Sequence, residues 1–132
     1  MESFEVHTDR RVTFVDITPR LIAVARSLGV TSGALVAYVP HTTAGITINE
    51  NADPTVRSDM EMALDRMVPD TLAFAHSEGN SDAHVKASLM GSSVTIPLVD
   101  GRLQLGTWQQ IILIDHDNRP RERKLFVQVM GE

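Results

Sequence analysis

Apolar and polar positions alternate along most of the chain, and changes in the period of that alternation mark its elements. "SFEVHT" and "RVTFVDIT" have the β-branched and aromatic weight of two strands, with a turn at Asp9-Arg10. The period then lengthens. In "TPRLIAVARSLG", Leu21, Val24, Ala25 and Leu28 share one helical face; Thr18 is placed to cap, Pro19 suits the first helical position and Gly29 the stop. "GALVAYVP" is apolar enough for a strand covered on both faces, whereas "GITINE" sends Ile46 and Ile48 one way and Thr47 and Asn49 the other. Asp53-Pro54 opens a second helix that ends at Pro69. Its predicted buried stripe is Val56, Met60, Ala63, Leu64 and Met67, with Arg57, Glu61 and Asp65 toward solvent. "SDAHVKASLMG" predicts a third, shorter helix, capped by Asn80 or Ser81 and stopped by Gly91. The rest reads as strands, "SVTIPLV", "RLQLGT", "QQIILID" and "RKLFVQVM", with turns at Asp100-Gly101 and near Asp117-Asn118.

Helices interleave with strands early and strands dominate late, which predicts an α+β fold with largely antiparallel sheets and about three helices. The 132 residues suit one domain with one core, and no repeat or linker divides them. Net charge is −5, from 17 acidic against 12 basic residues, so no nucleic-acid coat is expected. Cysteine is absent, which leaves nitrogen and oxygen as the only metal ligands and removes a thiol nucleophile. No secretory signal opens the chain and no apolar run reaches the ~20 residues of a bilayer span, so a cytoplasmic protein with no membrane partner is expected.

The concentration of polar chemistry in "PHTTAGITINENADP" is unusual for a strand segment. Of the five histidines, His7 reads as structural, and His116 reads as a partner for the flanking Asp115 and Asp117. His76 and His84 bracket the polar loop "SEGNSDA", with His84 in the first turn of the third helix near unpaired backbone N–H groups. Glu78, Asn80 and Asp82 are placed to orient those rings. If His41 converges with them, the three histidines form a candidate metal or acid–base site. The cofactor such a donor set suits is a divalent metal, zinc before magnesium. The spacing by itself specifies neither, and no dedicated metal motif such as H-E-x-x-H is present.

Other residues suit an anion. Thr42 and Thr43 offer hydroxyls beside His41, and Lys86 stands one turn into the third helix, in reach of a phosphate at its N-terminus. Arg121, Arg123 and Lys124 form a second basic group, which read alone is a solvated strand. Glu50 and Asn51 read either as helix-entry residues or as a base or ligand. Trp108, next to Gln109, reads as core or as a stacking platform for a planar ligand.

"PHTTAGITINENADP", "HSEGNSDAHVKASLMG" and "DGRLQLGTWQQIILID…RPRERK" together resemble the YjbQ-like family of small bacterial and archaeal proteins, labelled as a secondary thiamine-phosphate synthase. The resemblance runs from about residue 12 to the end. It implies a compact fold of packed antiparallel sheets, a homotrimer, and a site at His41, Glu50, Asn51, His76, Asn80, His84, Lys86, Trp108, Gln109, Arg121 and Arg123. One departure is His116-Asp117-Asn118, where relatives carry an Asp-Gly turn; Asn also tolerates a left-handed turn, so a hairpin is still expected.

The implied reaction joins a pyrimidine-methyl diphosphate to a thiazole phosphate and releases pyrophosphate. In that reading His41, His76, His84 and Glu50 are catalytic, while Thr42, Asn51, Asn80, Lys86, Trp108, Gln109, Arg121 and Arg123 bind substrate. Two alternatives stand beside it: a metal-assisted hydrolase of a phosphorylated small molecule, and a non-catalytic trimer that binds an anion or other small ligand.

Overall fold

The computed structural model describes residues 1–9 and 12–132. In chain order the elements are β1 (Glu2–Thr8), β2 (Thr13–Asp16), α1 (Thr18–Leu28), β3 (Ser32–Tyr38), β4 (Ala44–Asn49), α2 (Pro54–Met67), α3 (Ser81–Met90), β5 (Ser93–Val99), β6 (Arg102–Leu103), β7 (Gln110–Asp115) and β8 (Arg121–Gly131). They form a five-stranded sheet in the order β1-β8-β3-β5-β6 and a three-stranded sheet in the order β2-β7-β4. All strand pairs among the described residues are antiparallel. The expected α+β class and about three helices are therefore present.

The main core lies between the sheets. Leu35, Ile96, Leu98, Leu125 and Val127 of the larger sheet meet Ile46, Ile111 and Leu113 of the smaller one, with Leu21 and Ala25 of α1 alongside. β7 is buried on both faces. Ile111 and Leu113 enter this core, while Ile112 and Ile114 join Val12 and Phe14 in a second cluster under Met60 and Met90. β3 departs from expectation: Leu35 and Ala37 are buried but Tyr38 is exposed. Among the described residues, β3 buries one face, through Leu35 and Ala37, and leaves the other partly open.

Helix boundaries follow their punctuation, but some side chains do other work. Gly29 takes the left-handed conformation after α1, and Asp53 caps α2 by accepting from the Thr55 N–H at 2.9 Å. Thr18 does not cap α1; its hydroxyl accepts the Ile111 N–H at 2.8 Å and so ties the helix to β7. Leu28, expected on the buried face, is exposed.

α2 corrects the expectation most. None of its residues is fully buried, Ala63 and Met67 face solvent, and Arg57, Glu61 and Asp65 are half-buried. Val56, Met60 and Leu64 of the expected stripe are half-buried too, and Asp65 on the neighbouring line reaches 2.5 Å to Lys86 Nζ of α3. β6 is also shorter than the strand expected from "RLQLGT", since Leu103 O already accepts the Leu105 N–H in a turn.

β1 and β2 lie in different sheets, as do β7 and β8. The turn near Asp117-Asn118 is therefore a crossover between sheets and not the expected hairpin, while the turn at Asp9-Arg10 reaches outside the described residues. Thr8 pairs with Arg121 in one sheet and Thr13 with Asp115 in the other. The paired strands thus change sheets together at one corner, and the site is built there. Among the described residues, no helix is long and apolar enough to cross a membrane.

Candidate functional site

Two aspartates follow the apolar run of β7, and both are buried: Asp115 is 1% exposed and Asp117 0%. A buried carboxylate needs a cation and hydrogen bonds. β8 supplies the cations, because alternation sends Arg121 and Arg123 to the same face. Arg123 binds Asp115 with two nitrogens, Nη2 at 2.6 Å from Oδ1 and Nε at 2.8 Å from Oδ2. Thr8 donates to Asp115 Oδ2 at 2.7 Å. Asp117 Oδ2 accepts from Arg121 Nε at 2.8 Å, Thr43 Oγ1 at 3.0 Å and Asn80 Nδ2 at 3.4 Å. Burial pushes both carboxyls up, but the bonds to Arg123 and Thr8 outweigh it at Asp115, and those to the Asn118 N–H, Thr43 and Arg121 outweigh it at Asp117. Both lie below the ordinary carboxylate value.

Asp117 thereby gathers residues from three elements around one cavity. That cavity holds about 430 Å³ and is lined by His41, Thr42, Thr43, His76, Glu78, Asn80, His84, Arg121 and Arg123, with Pro40 at its edge. A neighbouring one of about 370 Å³ shares His41, Thr42 and His84 and continues along Ala87, Ser88 and Gly91. α3 can approach β4 this closely because Gly45 lacks a side chain: a Cβ there would meet Gly91 O at 2.8 Å. His76 and His84 face each other edge to face, with ring centroids 5.5 Å apart.

His41 has a fixed role. Pro40 ends β3, whose pairing with β8 stops at Tyr38 and Phe126. The next free N–H on β8, that of Lys124, is taken by His41 Nε2 at 2.7 Å. An Nε2 that accepts leaves Nδ1 as the N–H of a neutral ring. Burial, then the charge of Arg123, lowers its pKa and keeps it neutral. His41, a wall of the cavity, therefore carries its proton on Nδ1, the nitrogen left free to donate.

The structure does not bring all the expected residues together. His41, Thr42, His76, Asn80, His84, Arg121 and Arg123 meet at the cavity. Lys86 does not: it is 2% exposed and held between Asp65 and Asp82, at 2.5 and 3.4 Å, so it does not serve a phosphate at the N-terminus of α3. That pairing also removes Asp82 from the rings it was expected to orient. Glu50, Asn51, Trp108 and Gln109 lie at the opposite end of the smaller sheet, where Asn49 pairs with Gln110, about 17 Å along the strand from Ala44. There the Asn51 N–H donates to Gln110 Oε1, and Gln109 Oε1 accepts the Gly106 N–H. Trp108 is 68% exposed, neither core nor a wall of the cavity. The three-histidine metal site is also corrected. Among the described residues, no three His, Asp or Glu side chains are grouped to hold a metal ion, and Nε2 of His41 is already engaged.

Sequence reading missed Asp115 and Asp117. The signal was present: acids at i and i+2 after a doubly buried strand, matched by arginines at i and i+2 on another. His116 was placed wrongly as well. Its ring pairs with neither neighbour; it is 2% exposed and both ring nitrogens lack a partner. Burial, then the charge of Lys86, pushes its pKa down to about 4.

Two predictions follow from this corner. Asp115→Asn leaves the buried Arg123 with only the more distant Asp117, at 3.8 Å, and is expected to cost about 3 kcal/mol in urea unfolding, whereas Asp115→Asn with Arg123→Met costs less than the single change. Equal or greater loss in the double variant would show that the charge is not the cause. His116 must gain a proton on unfolding in acid. Its stabilisation is complete above the ordinary histidine value of about 6.5 and is lost as pH falls toward 4, at no more than about 1.4 kcal/mol per pH unit. His116→Leu should flatten the stability profile across that window, and an unchanged slope would refute the assignment.

The chain matches the family model described as UPF0047 protein YjbQ-like over residues 2–132. It is 48% identical to UPF0047 protein MJ1081 of Methanocaldococcus jannaschii, covering 98% of this chain and 93% of that protein. It is 43% identical to UPF0047 protein YugU of Bacillus subtilis, covering 99% of each. Among solved structures, an uncharacterised conserved protein of the YjbQ/UPF0047 family from Clostridium acetobutylicum superposes with a TM-score of 0.95 at 45% identity, covering 98% of this chain and 100% of that one. A protein of unknown function from Sulfolobus solfataricus also gives 0.95, at 28% identity, covering 99% of this chain and 96% of that one. The relatives carry family designations alone and the structures are described as uncharacterised, so the expected thiamine-phosphate synthesis is not upheld. What residues, fold and relatives establish together is membership: the chain belongs to the YjbQ-like UPF0047 family.

Proposed function

We propose that the cavity at the sheet corner binds the phosphoryl group of a small phosphorylated molecule. The carrying observation is the convergence there of donors already fixed in place. His41 presents Nδ1–H because Lys124 occupies Nε2. Arg121 is held by Nε alone, and its side chain is 34% exposed against 5% for Arg123, so Arg121 is the guanidinium that meets a ligand. Thr42 adds an exposed hydroxyl. The N-terminus of α3 opens beside Asn80, whose side chain turns to Asp117 instead of capping it. Bidentate guanidinium contacts and neutral N–H and O–H donors suit phosphoryl oxygens. The adjoining cavity along Ala87, Ser88 and Gly91 has room for the rest of the molecule.

Calorimetric titration with a panel of small phosphate mono- and diesters tests this. Binding is expected, and Arg121→Gln and His41→Ala should each weaken it by about tenfold or more while the thermal midpoint stays near that of the parent. Affinity indifferent to both changes would remove the reading.

A second observation supports self-association as the homotrimer. α2 buries none of its residues, and Met62, Met67, Leu72 and Leu89 leave apolar surface exposed on and around α2 and α3. A helix of this length is marginal alone in water, so a neighbouring copy is a natural cover for it. Light scattering should give three times the 14.5 kDa chain mass, and Met67→Glu with Leu89→Glu should lower it. A monomeric parent protein at micromolar concentration would end this reading.

A further inference from the structure

Among the described residues, the charges that meet at the cavity cancel. Arg121 faces Asp117 at 2.8 Å and Arg123 faces Asp115 at 2.6 Å. On the wall, Glu78 is reached by Arg119 at 3.5 Å. Among the described residues, these three cations are matched by three carboxylates. Lys86, behind the wall, is held by Asp65 and Asp82, and His41 is a neutral donor. A site built to hold two negative charges would leave cations unmatched until the ligand arrives. Here any excess charge on a ligand lies close to Asp117 and Asp115 as well as to the arginines.

Resting on the phosphoryl-binding reading, we infer that the site selects by charge. It takes a singly charged tetrahedral oxyanion, such as the phosphoryl group of a phosphodiester, in preference to the doubly charged group of a phosphate monoester. Neutral donors from His41 and Thr42 recognise the oxygens, and Arg121, half-engaged by Asp117, contributes less than one full charge to the match.

Three probes of similar shape separate the terms at about pH 8, where ordinary imidazoles are neutral and a phosphate monoester carries close to two charges. They are phenyl phosphate, phenyl sulfate with one charge fewer, and methyl phenyl phosphate as the diester. The sulfate and the diester are expected to bind about tenfold or more tightly than the phosphate monoester, the scale of one partly screened charge term. Asp117→Asn, which removes a carboxylate, should shift the phosphate-to-sulfate affinity ratio toward phosphate by about tenfold. Should that variant not fold, Glu78→Gln on the exposed wall should shift the ratio the same way, by about threefold. Phenyl phosphate binding as tightly as the other two, or a ratio unmoved in the folded variant, overturns the charge inference and leaves phosphoryl binding standing. Failure of all three probes to bind defeats the phosphoryl reading itself.

Discussion

Two buried aspartates, each answered by an arginine two residues from the next, hold the corner where the paired strands leave one sheet for the other. Asp115 ends β7 and Asp117 follows it, and Arg121 and Arg123 begin β8. The chain stays buried through Asp117 before it turns at the exposed residues 118–120, and the polar groups of the buried stretch are out of reach of water. The ion pairs, with Thr8 and Thr43, satisfy these groups. The His116 N–H donates to Thr43 O, and the Asp117 N–H to Asp115 Oδ1.

That solution creates the cavity. Asp117 needs several donors, and those it recruits, Arg121, Thr43 and Asn80, come from β8, the loop before β4 and the N-terminus of α3. Drawing them to one oxygen sets the distances among the walls. The same pairing removes most of the positive charge that two arginines would otherwise present. Among the described residues, a site rich in basic residues by count is therefore close to neutral by geometry.

Lys86 and α2 show why a residue type alone misleads. A lysine in the first turns of a helix can reach an anion at that helix's N-terminus, and the expectation placed it there. Its side chain instead pairs with Asp65 and Asp82, while on α2 charged residues are half-covered and Ala63 and Met67 face outward. Helical periodicity identified the helix; which residues of its two adjoining lines are covered was decided by contacts with α3 and the second core cluster.

Local signals sufficed for the elements. The caps at Asp53 and Gly29, the proline at the start of α2, the Asp100-Gly101 turn and the doubly apolar run of β7 all act through contacts a few residues long, so the α+β class and the helix positions were legible in the chain. His41, His76 and His84 line one cavity, and their polar surroundings are visible in sequence. What the linear order left open is which strand joins which sheet. That depends on pairings such as Thr8 with Arg121 and Thr13 with Asp115, between segments more than a hundred residues apart. The crossover at 116–120, the burial of Asp115, Asp117 and His116, and the separation of Glu50, Asn51, Trp108 and Gln109 from the histidines all follow from those pairings. Sequence determines what each segment can form, because those energies are local. The tertiary structure alone decides which charges meet, because burial and pairing belong to the assembled sheets.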